Sequence, residues 1–261
     1  DMSVNGYTYA NKMLNLPDEY KVSGMPNGNQ RIYEGKDIYR WEMRQFAGLD
    51  EKGNSLWYMD RDLTDGEGNV VGVEKVTTGD ATEATQYLLE KSALPDFTGG
   101  LNTTLRWKSL DLTIMTNFQF GGYGYDYDFS AFSSANFPMN RLKNYADAWN
   151  PETGKGSAPI WNTNDSNINA SSDRFLISKT YFNLRNITLG YTFPANWMSK
   201  IGIKSVRVYF ACDNVFFASK RKGYDPRTSM GGQGATVALN SVDGTYYSPI
   251  RTTSVGLNIN F

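Results

Sequence analysis

The chain of 261 residues contains no histidine. That excludes Ser-His-Asp and Cys-His nucleophilic catalysis and every His-ligated metal centre. A single cysteine, Cys212, excludes an internal disulfide. It shares a strand face with Val208 and Phe210 and reads as a small apolar residue, not a nucleophile. No run of about 18 apolar residues occurs, so no transmembrane helix is encoded. The net charge of −1 leaves no electrostatic footprint for nucleic acid. Hydrophobic content is 40%, under the usual about 45–50%, whereas aromatic content is high at 14%. Neither a catalytic constellation nor a cofactor motif emerges, and the expectation is a protein that is not an enzyme and carries no cofactor.

What is present is alternation. In 249–261, Val255, Leu257, Ile259 and Phe261 alternate with Ser254, Gly256, Asn258 and Asn260. In 110–121, Leu110, Leu112, Ile114, Phe118 and Phe120 fall on one face and Asp111, Thr113, Asn117 and Gln119 on the other, with Met115 the exception. Phe97, Leu101, Leu105 and Trp107 oppose Thr98, Asn102, Thr104 and Arg106. Ile187, Leu189, Tyr191 and Phe193 oppose Asn186, Thr188, Gly190 and Thr192. Val206, Val208, Phe210 and Phe216 oppose Ser205, Arg207, Tyr209 and Asp213. Each run has about the 10 residues that a tilted strand needs to cross a hydrocarbon layer. Alternation by itself gives antiparallel β structure, in a soluble sheet or in a membrane wall. Strand length, spacing and loop asymmetry together favour an all-β fold made of strands of a large antiparallel transmembrane barrel with long extracellular loops.

The pattern places strands near 2–14, 35–48, 97–108, 110–122, 178–193, 203–217 and 248–261. Tight connections at Lys108-Ser109-Leu110 and at 194–202 alternate with long ones at 49–96, 123–177 and 218–247, as in a barrel with short periplasmic turns and long outer loops. Seven strands is an odd number, which a complete bacterial barrel does not have. The expectation is therefore that 1–261 is one part of a barrel, with further wall and any lumen filling N-terminal to it. The start, Asp1-Met2-Ser3-Val4, has neither a basic nor an apolar leader region, consistent with a removed signal peptide or an internal fragment.

The long loops hold Tyr123, Tyr125, Tyr127, Trp149 and Trp161 among amides and hydroxyls, and Lys220, Arg221, Lys222 and Tyr224 ahead of Gly231-Gly232-Gln233-Gly234. Aromatic rings among amides suit sugars and protein partners alike, and they also pack loops together. Asp60, Asp62 and Asp65 stand at spacings like those of a calcium loop. However, Gly66 is seventh and Val71 twelfth, where an EF-hand needs Gly sixth and Glu twelfth, so a solvated acidic turn is the leading interpretation and calcium an outside candidate. The glycine cluster has no Lys-Ser/Thr or helix after it and is no phosphate loop.

Several stretches in order carry a family likeness. They are Asn11 to Leu16, Pro95 to Asn102, Phe118 to Gly122, Ala148 to Glu152, Tyr181-Phe182-Asn183-Leu184-Arg185-Asn186-Ile187-Thr188-Leu189-Gly190-Tyr191 with Pro194 behind it, Val206 to Tyr209, Asp213 to Phe216, and Gly223 to Pro226. This series resembles the C-terminal region of SusC/RagA-type TonB-dependent outer-membrane transporters of Bacteroidetes and spans nearly the whole chain. The resemblance implies a wall segment of a barrel of about 22 strands with a plugged lumen. It also implies a SusD-like surface lipoprotein as partner, and TonB acting through a plug that this chain lacks. Outer-membrane lipid would surround the wall, and the cargo would be an oligosaccharide, alternatively a peptide. Asn117, Gln119, Tyr123, Tyr125, Trp149, Trp161 and Arg207 are the candidate cargo contacts. A soluble carbohydrate-binding module is the rival, separated by detergent dependence.

Overall fold

The computed structural model describes residues 1–8, 10–133, 143, 147–161, 166–220 and 250–261. Strand β1 (Met2–Tyr7) leads into a long excursion that holds β2 (Met25–Asn27), β3 (Gln30–Ile32), β4 (Arg40–Arg44), β5 (Phe46–Leu49), β6 (Ser55–Thr64), β7 (Val70–Thr78) and β8 (Gln86–Ser92). A hairpin of β9 (Phe97–Trp107) and β10 (Leu110–Phe120) follows. The second excursion carries β11 (Tyr123–Tyr125), helix α1 (Tyr127–Phe132) and β12 (Leu176–Ser178). Strand β13 (Tyr181–Thr192) connects through helix α2 (Ala195–Met198) to β14 (Ser205–Ser219), and β15 (Thr252–Asn260) comes last. Hydrogen bonding assembles an open antiparallel sheet of six strands, β1-β9-β10-β13-β14-β15, and three small sheets, β2-β3-β4-β8, β5-β6-β7 and β11-β12.

Among the described residues the wall therefore has six strands, not the expected seven. The run 35–48 alternates because Trp41 and Met43 enter a core in the loops, and the run divides at Gln45 into β4 and β5 of two different small sheets. The argument from an odd strand count falls with it. The segment Asn11–Leu16 also lies beyond the end of β1. There the Asn11 side chain accepts the Ile38 N–H at 2.9 Å, and the Leu16 N–H donates to Glu34 at 2.7 Å.

Directly paired residues share a face of a sheet. One row across the wall reads Leu105, Leu112, Leu189, Phe210, Val255, and the adjoining row on the opposite face reads Thr104, Thr113, Thr188, Ala211, Ser254. The apolar face is open to the surroundings: Val255 is 76% exposed, Trp107 68% and Phe210 46%. A soluble domain would bury such a continuous surface, whereas a membrane wall presents it to lipid. Cys212 pairs with Ile187 and so takes its expected place on this apolar face. A bulge at Arg185 keeps the pattern in phase. It lets Leu184 and Ile187, which are three residues apart, both lie on the apolar face, where a regular strand would put them on opposite sides.

Aromatic rings border the apolar face at both ends. At the long-loop rim Phe97 stacks on Phe118 with centroids 6.0 Å apart, and Phe118 meets Phe120 at 5.7 Å. At the short-turn rim stand Trp107, Tyr191 and Phe193, the last two edge-on at 5.1 Å. Ten residues of β10 separate the two borders. At about 3.4 Å each and a tilt of about 40° they span roughly 26 Å, which matches the apolar band of a transmembrane barrel.

The water-excluding core sits in the loops. Trp41, Met43, Leu89, Ala93, Tyr125, Phe175 and Leu176 form one cluster, and Trp57, Ala81 and Ala84 form another. The first draws on both excursions, and polar ties bind them further: the Phe46 N–H donates to Asp173 at 2.9 Å and the Ala81 N–H to Asn167 at 3.1 Å. Two copies of one turn, Asp50-Glu51-Lys52-Gly53-Asn54 and Asp65-Gly66-Glu67-Gly68-Asn69, reverse the chain at either end of β6. In each the aspartate carboxylate accepts the asparagine N–H, at 2.7 Å and 2.9 Å respectively. Each glycine takes positive φ, +82° at Gly53 and +86° at Gly68, which other residues adopt only with strain.

Candidate functional site

The polar face of the wall is built by the residues between the apolar ones. It is lined mainly by amides and hydroxyls: Asn5, Asn102, Thr104, Thr113, Asn117, Gln119, Asn183, Asn186, Thr188, Asn258 and Asn260. Asn117 and Asn183 pair directly, with the Asn183 amide donating to the Asn117 carbonyl oxygen at 2.8 Å and Asn117 reaching the Tyr181 hydroxyl at 3.4 Å. The Gln119 amide donates to the Lys179 carbonyl at 3.3 Å. Lower on this face Asn186 donates to Asp213 at 2.8 Å. Asn117 and Gln119 thus keep their expected place on the polar face, near the long-loop rim.

Arg207 stands near the opposite rim. Its guanidinium crosses β13 to hold Asp111 with two hydrogen bonds, Nε to Oδ1 at 3.0 Å and Nη2 to Oδ2 at 2.5 Å. The bridge passes over Gly190, which pairs with Asp111 on one side and Tyr209 on the other. A Cβ on Gly190 would lie 2.3 Å from Nη2 of Arg207 and 2.5 Å from Oδ1 of Asp111, so only glycine leaves room. Arg207 latches β10 to β14. Six residues of β10 separate Asp111 from Asn117, roughly 20 Å along the strand, so the candidates on this face do not form one cluster. An open cleft of about 370 Å³ at the short-turn rim is lined by Arg106, Lys108, Asp111, Thr192 and Arg207, among others.

The aromatic candidates separate into different environments. Tyr123 is half-buried, and the Lys91 amine lies 5.3 Å from its ring centre. Tyr125 is 3% exposed in the loop core, where its ring meets that of Phe175 at 5.9 Å. Burial pushes its hydroxyl pKa up. Trp149 packs on Gly53, where a Cβ would come 2.2 Å from the indole. Trp161 is 49% exposed. Tyr125 is thus in the loop core, Trp149 and Tyr123 are half-buried, and Trp161 is exposed. The cationic stretch after Lys220 lies outside the described residues.

The acidic residues near 60–65 do not converge. Asp60 accepts the Tyr87 hydroxyl at 2.6 Å, and burial together with that carboxylate pushes Tyr87 up to about 12. Asp65 accepts the N–H groups of Asn69 and Glu67, each at 2.9 Å. The Asn69 N–H in particular, with the Asn69 side-chain amide, holds the Asp65 carboxyl below its ordinary range. No group of three or more His, Cys, Asp or Glu that could hold a metal occurs among the described residues.

One buried group escaped the sequence reading. Lys179, between β12 and β13, is 4% exposed, and its amine donates to the Ala93 carbonyl at 3.3 Å. Burial lowers its pKa to about 8. A lone lysine beside a serine carries no periodic signal that marks it as buried.

No protein-family model matches the chain. It is 24% identical over 272 residues to TonB-dependent receptor P3 of Formosa agariphila, covering 96% of this chain and 26% of that receptor. It is 26% identical over 191 residues to TonB-dependent receptor SusC of Bacteroides thetaiotaomicron, covering 72% of this chain and 17% of SusC. A solved structure of the RagAB peptide transporter superposes with a TM-score of 0.76 at 24% identity, over 100% of this chain and 27% of the other. The chain is a SusC-like segment of a TonB-dependent receptor barrel. It spans about a quarter or less of the length of the relatives named here. The SusC-like segment is an outer-membrane β-barrel wall, its apolar face toward lipid and its polar face toward the lumen. The three long connections, between β1 and β9, β10 and β13, and β14 and β15, all leave from one rim, which is the extracellular one. The turn between β9 and β10 and the turn holding α2 are periplasmic. They touch each other through the Thr192 N–H, which donates to Ser109 at 2.8 Å.

Proposed function

We propose that this SusC-like chain is the C-terminal part of a TonB-dependent importer that brings neutral oligosaccharides across the outer membrane, with a SusD-like lipoprotein seated on its extracellular rim. The observation that carries the reading is the lumen face. It offers mainly amides and hydroxyls, with Asp111 paired to Arg207 and Arg106 to Asp1, and Asp213 accepting from the Asn186 amide. Such a surface exchanges hydrogen bonds with sugar hydroxyls without demanding a charge in return. The plug, the remaining wall and the TonB contact belong to the rest of the protein, and transport energy enters there. The chain supplies wall, loops and part of the cavity, and no catalytic step.

The likeness to the RagAB peptide transporter supports the second cargo, a peptide, whose backbone amides would use the same donors and acceptors. The deciding experiment is growth of the native host on defined glycans or on peptides, with and without the intact receptor gene. It is paired with calorimetry of the purified complex against the same cargoes. Loss of growth and of binding on oligosaccharide alone supports the proposal. Loss on peptide alone replaces it with the second reading, and no loss on either removes both.

A further inference from the structure

Four exposed aliphatic side chains occur on the two faces of the β6–β7 hairpin, outside the six-stranded wall sheet. Leu63, Val70, Val71 and Val73 are 43%, 58%, 65% and 61% exposed. The base of the hairpin is anchored by Trp57, which is fully buried. From Arg61 to Val71 every residue of the ribbon is exposed. In the β5-β6-β7 sheet, β7 is an edge strand of nine residues. Among the described residues no backbone hydrogen bond joins its outer side to another segment. A long apolar edge of this kind is a template for an added strand.

Edges are usually guarded by free lysines, and the lysine of β7 is engaged by its neighbours. The Lys75 amine sits 4.4 Å from the ring centres of both Tyr58 and Tyr87 and donates to Gln45 at 2.7 Å. Arg61 is engaged by Glu74 at 2.7 Å. Both cations of the stretch 60–75 are thus engaged by neighbours although exposed, while Asp62 and Glu67 have no ion-pair partner among the described residues. The edge is apolar with an acidic fringe. Anionic lipid would be repelled by it, and a cationic extended peptide would be complementary in shape, hydrogen bonding and charge.

We propose that β7 is the docking edge on which a lysine- or arginine-bearing extended segment of the surface lipoprotein adds a strand. This rests on the importer reading, which places that partner on the same rim. The test uses the full-length receptor purified from its host in mild detergent, with a photo-crosslinking residue at Val71 or Val73 and a control at Val255 on the lipid face. The expected result is a light-dependent adduct with the lipoprotein from the two hairpin positions and none from Val255. The double variant Val71→Lys, Val73→Lys is expected to lower recovery of the lipoprotein about ten-fold, the equivalent of about 1.4 kcal/mol, with the barrel still folded by heat-modifiable gel mobility. Adducts only within the receptor, adducts only with lipid, or no adduct while the lipoprotein still co-purifies overturn the docking edge and leave the importer reading intact. A wild-type receptor that brings no lipoprotein at all overturns both.

Discussion

Replacing Gly190 by alanine is expected to weaken the wall only while Arg207 is present. A new methyl carbon would stand 2.3 Å from the guanidinium and 2.5 Å from the Asp111 carboxylate, well inside contact distance, so the bidentate bridge has to open. Hydrogen bonds between charged groups contribute about 1.5–3 kcal/mol when shielded, and exposed ion pairs under about 1. With side chains 29% and 20% accessible, the Arg207–Asp111 pair falls between these limits, and a loss of about 1–2 kcal/mol is expected. In an Arg207→Ala background the guanidinium is gone and nothing holds the Asp111 carboxylate over Gly190, so it can turn aside. There the same substitution is expected to be neutral or to stabilise by up to about 0.5–1 kcal/mol, since glycine within a strand is less favourable than alanine. The assay is urea unfolding of the full-length receptor in detergent for the wild type, both single variants and the double variant. Equal cost in both backgrounds would refute the bridging role assigned to Gly190.

Other outcomes follow from the same geometry. Leu189→Arg on the lipid face is expected to destabilise the folded barrel by about 2–4 kcal/mol, whereas Thr188→Arg on the lumen face changes it far less; refolding into vesicles measures both. Gly53→Ala is expected to loosen the loop core, because Gly53 has φ +82° and lies under Trp149, while Gly68→Ala meets the same strain with open space around it; tryptophan fluorescence and limited proteolysis separate the two. Lys179 has a folded pKa of about 8 against 10.5 ordinarily, so the unfolded chain binds more protons between those values and stability is expected to rise with pH from about 8 to 10.5. Lys179→Met is expected to stabilise the protein below pH 8, by at most on the order of 3 kcal/mol, and to abolish that rise in thermal melts. Asp65, with its pKa lowered, stabilises its turn at pH values above the ordinary 3.8, and that contribution is lost as pH falls through its depressed folded value; amide exchange at Asn69 follows it.

The wall was legible in the sequence because a period of two is imposed on it from both sides, by lipid and by water. Leu110 to Phe120, with Met115 and Thr116 the exceptions, and Thr252 to Asn260 keep that period; the first was placed to within two residues of its ends, and the second to within one at its end but four residues early at its start. The run 35–48 shows the same period for a different reason, since a loop core selects alternate residues just as lipid does, and nothing local distinguishes Met43 from Leu112. The roles of individual candidates were less legible still. Trp149 and Tyr125 look in sequence like ligand-binding aromatics, and only the contacts of Gly53 and Phe175 show that they pack the loops. Arg207 reads as a free cation until Asp111, 96 residues away in sequence, is found beside it.

The loop core described above is assembled from two stretches that flank the β9–β10 hairpin. Trp41, Met43 and Leu89 come before the hairpin, and Tyr125, Phe175 and Leu176 after it. Neither stretch holds the whole cluster, so the cap is completed only once the hairpin has carried both to the same side of the bilayer. Its consolidation then lags insertion during biogenesis and works as a catch. Backing the hairpin out of the membrane would require first dissolving a finished, water-excluding core on the far side.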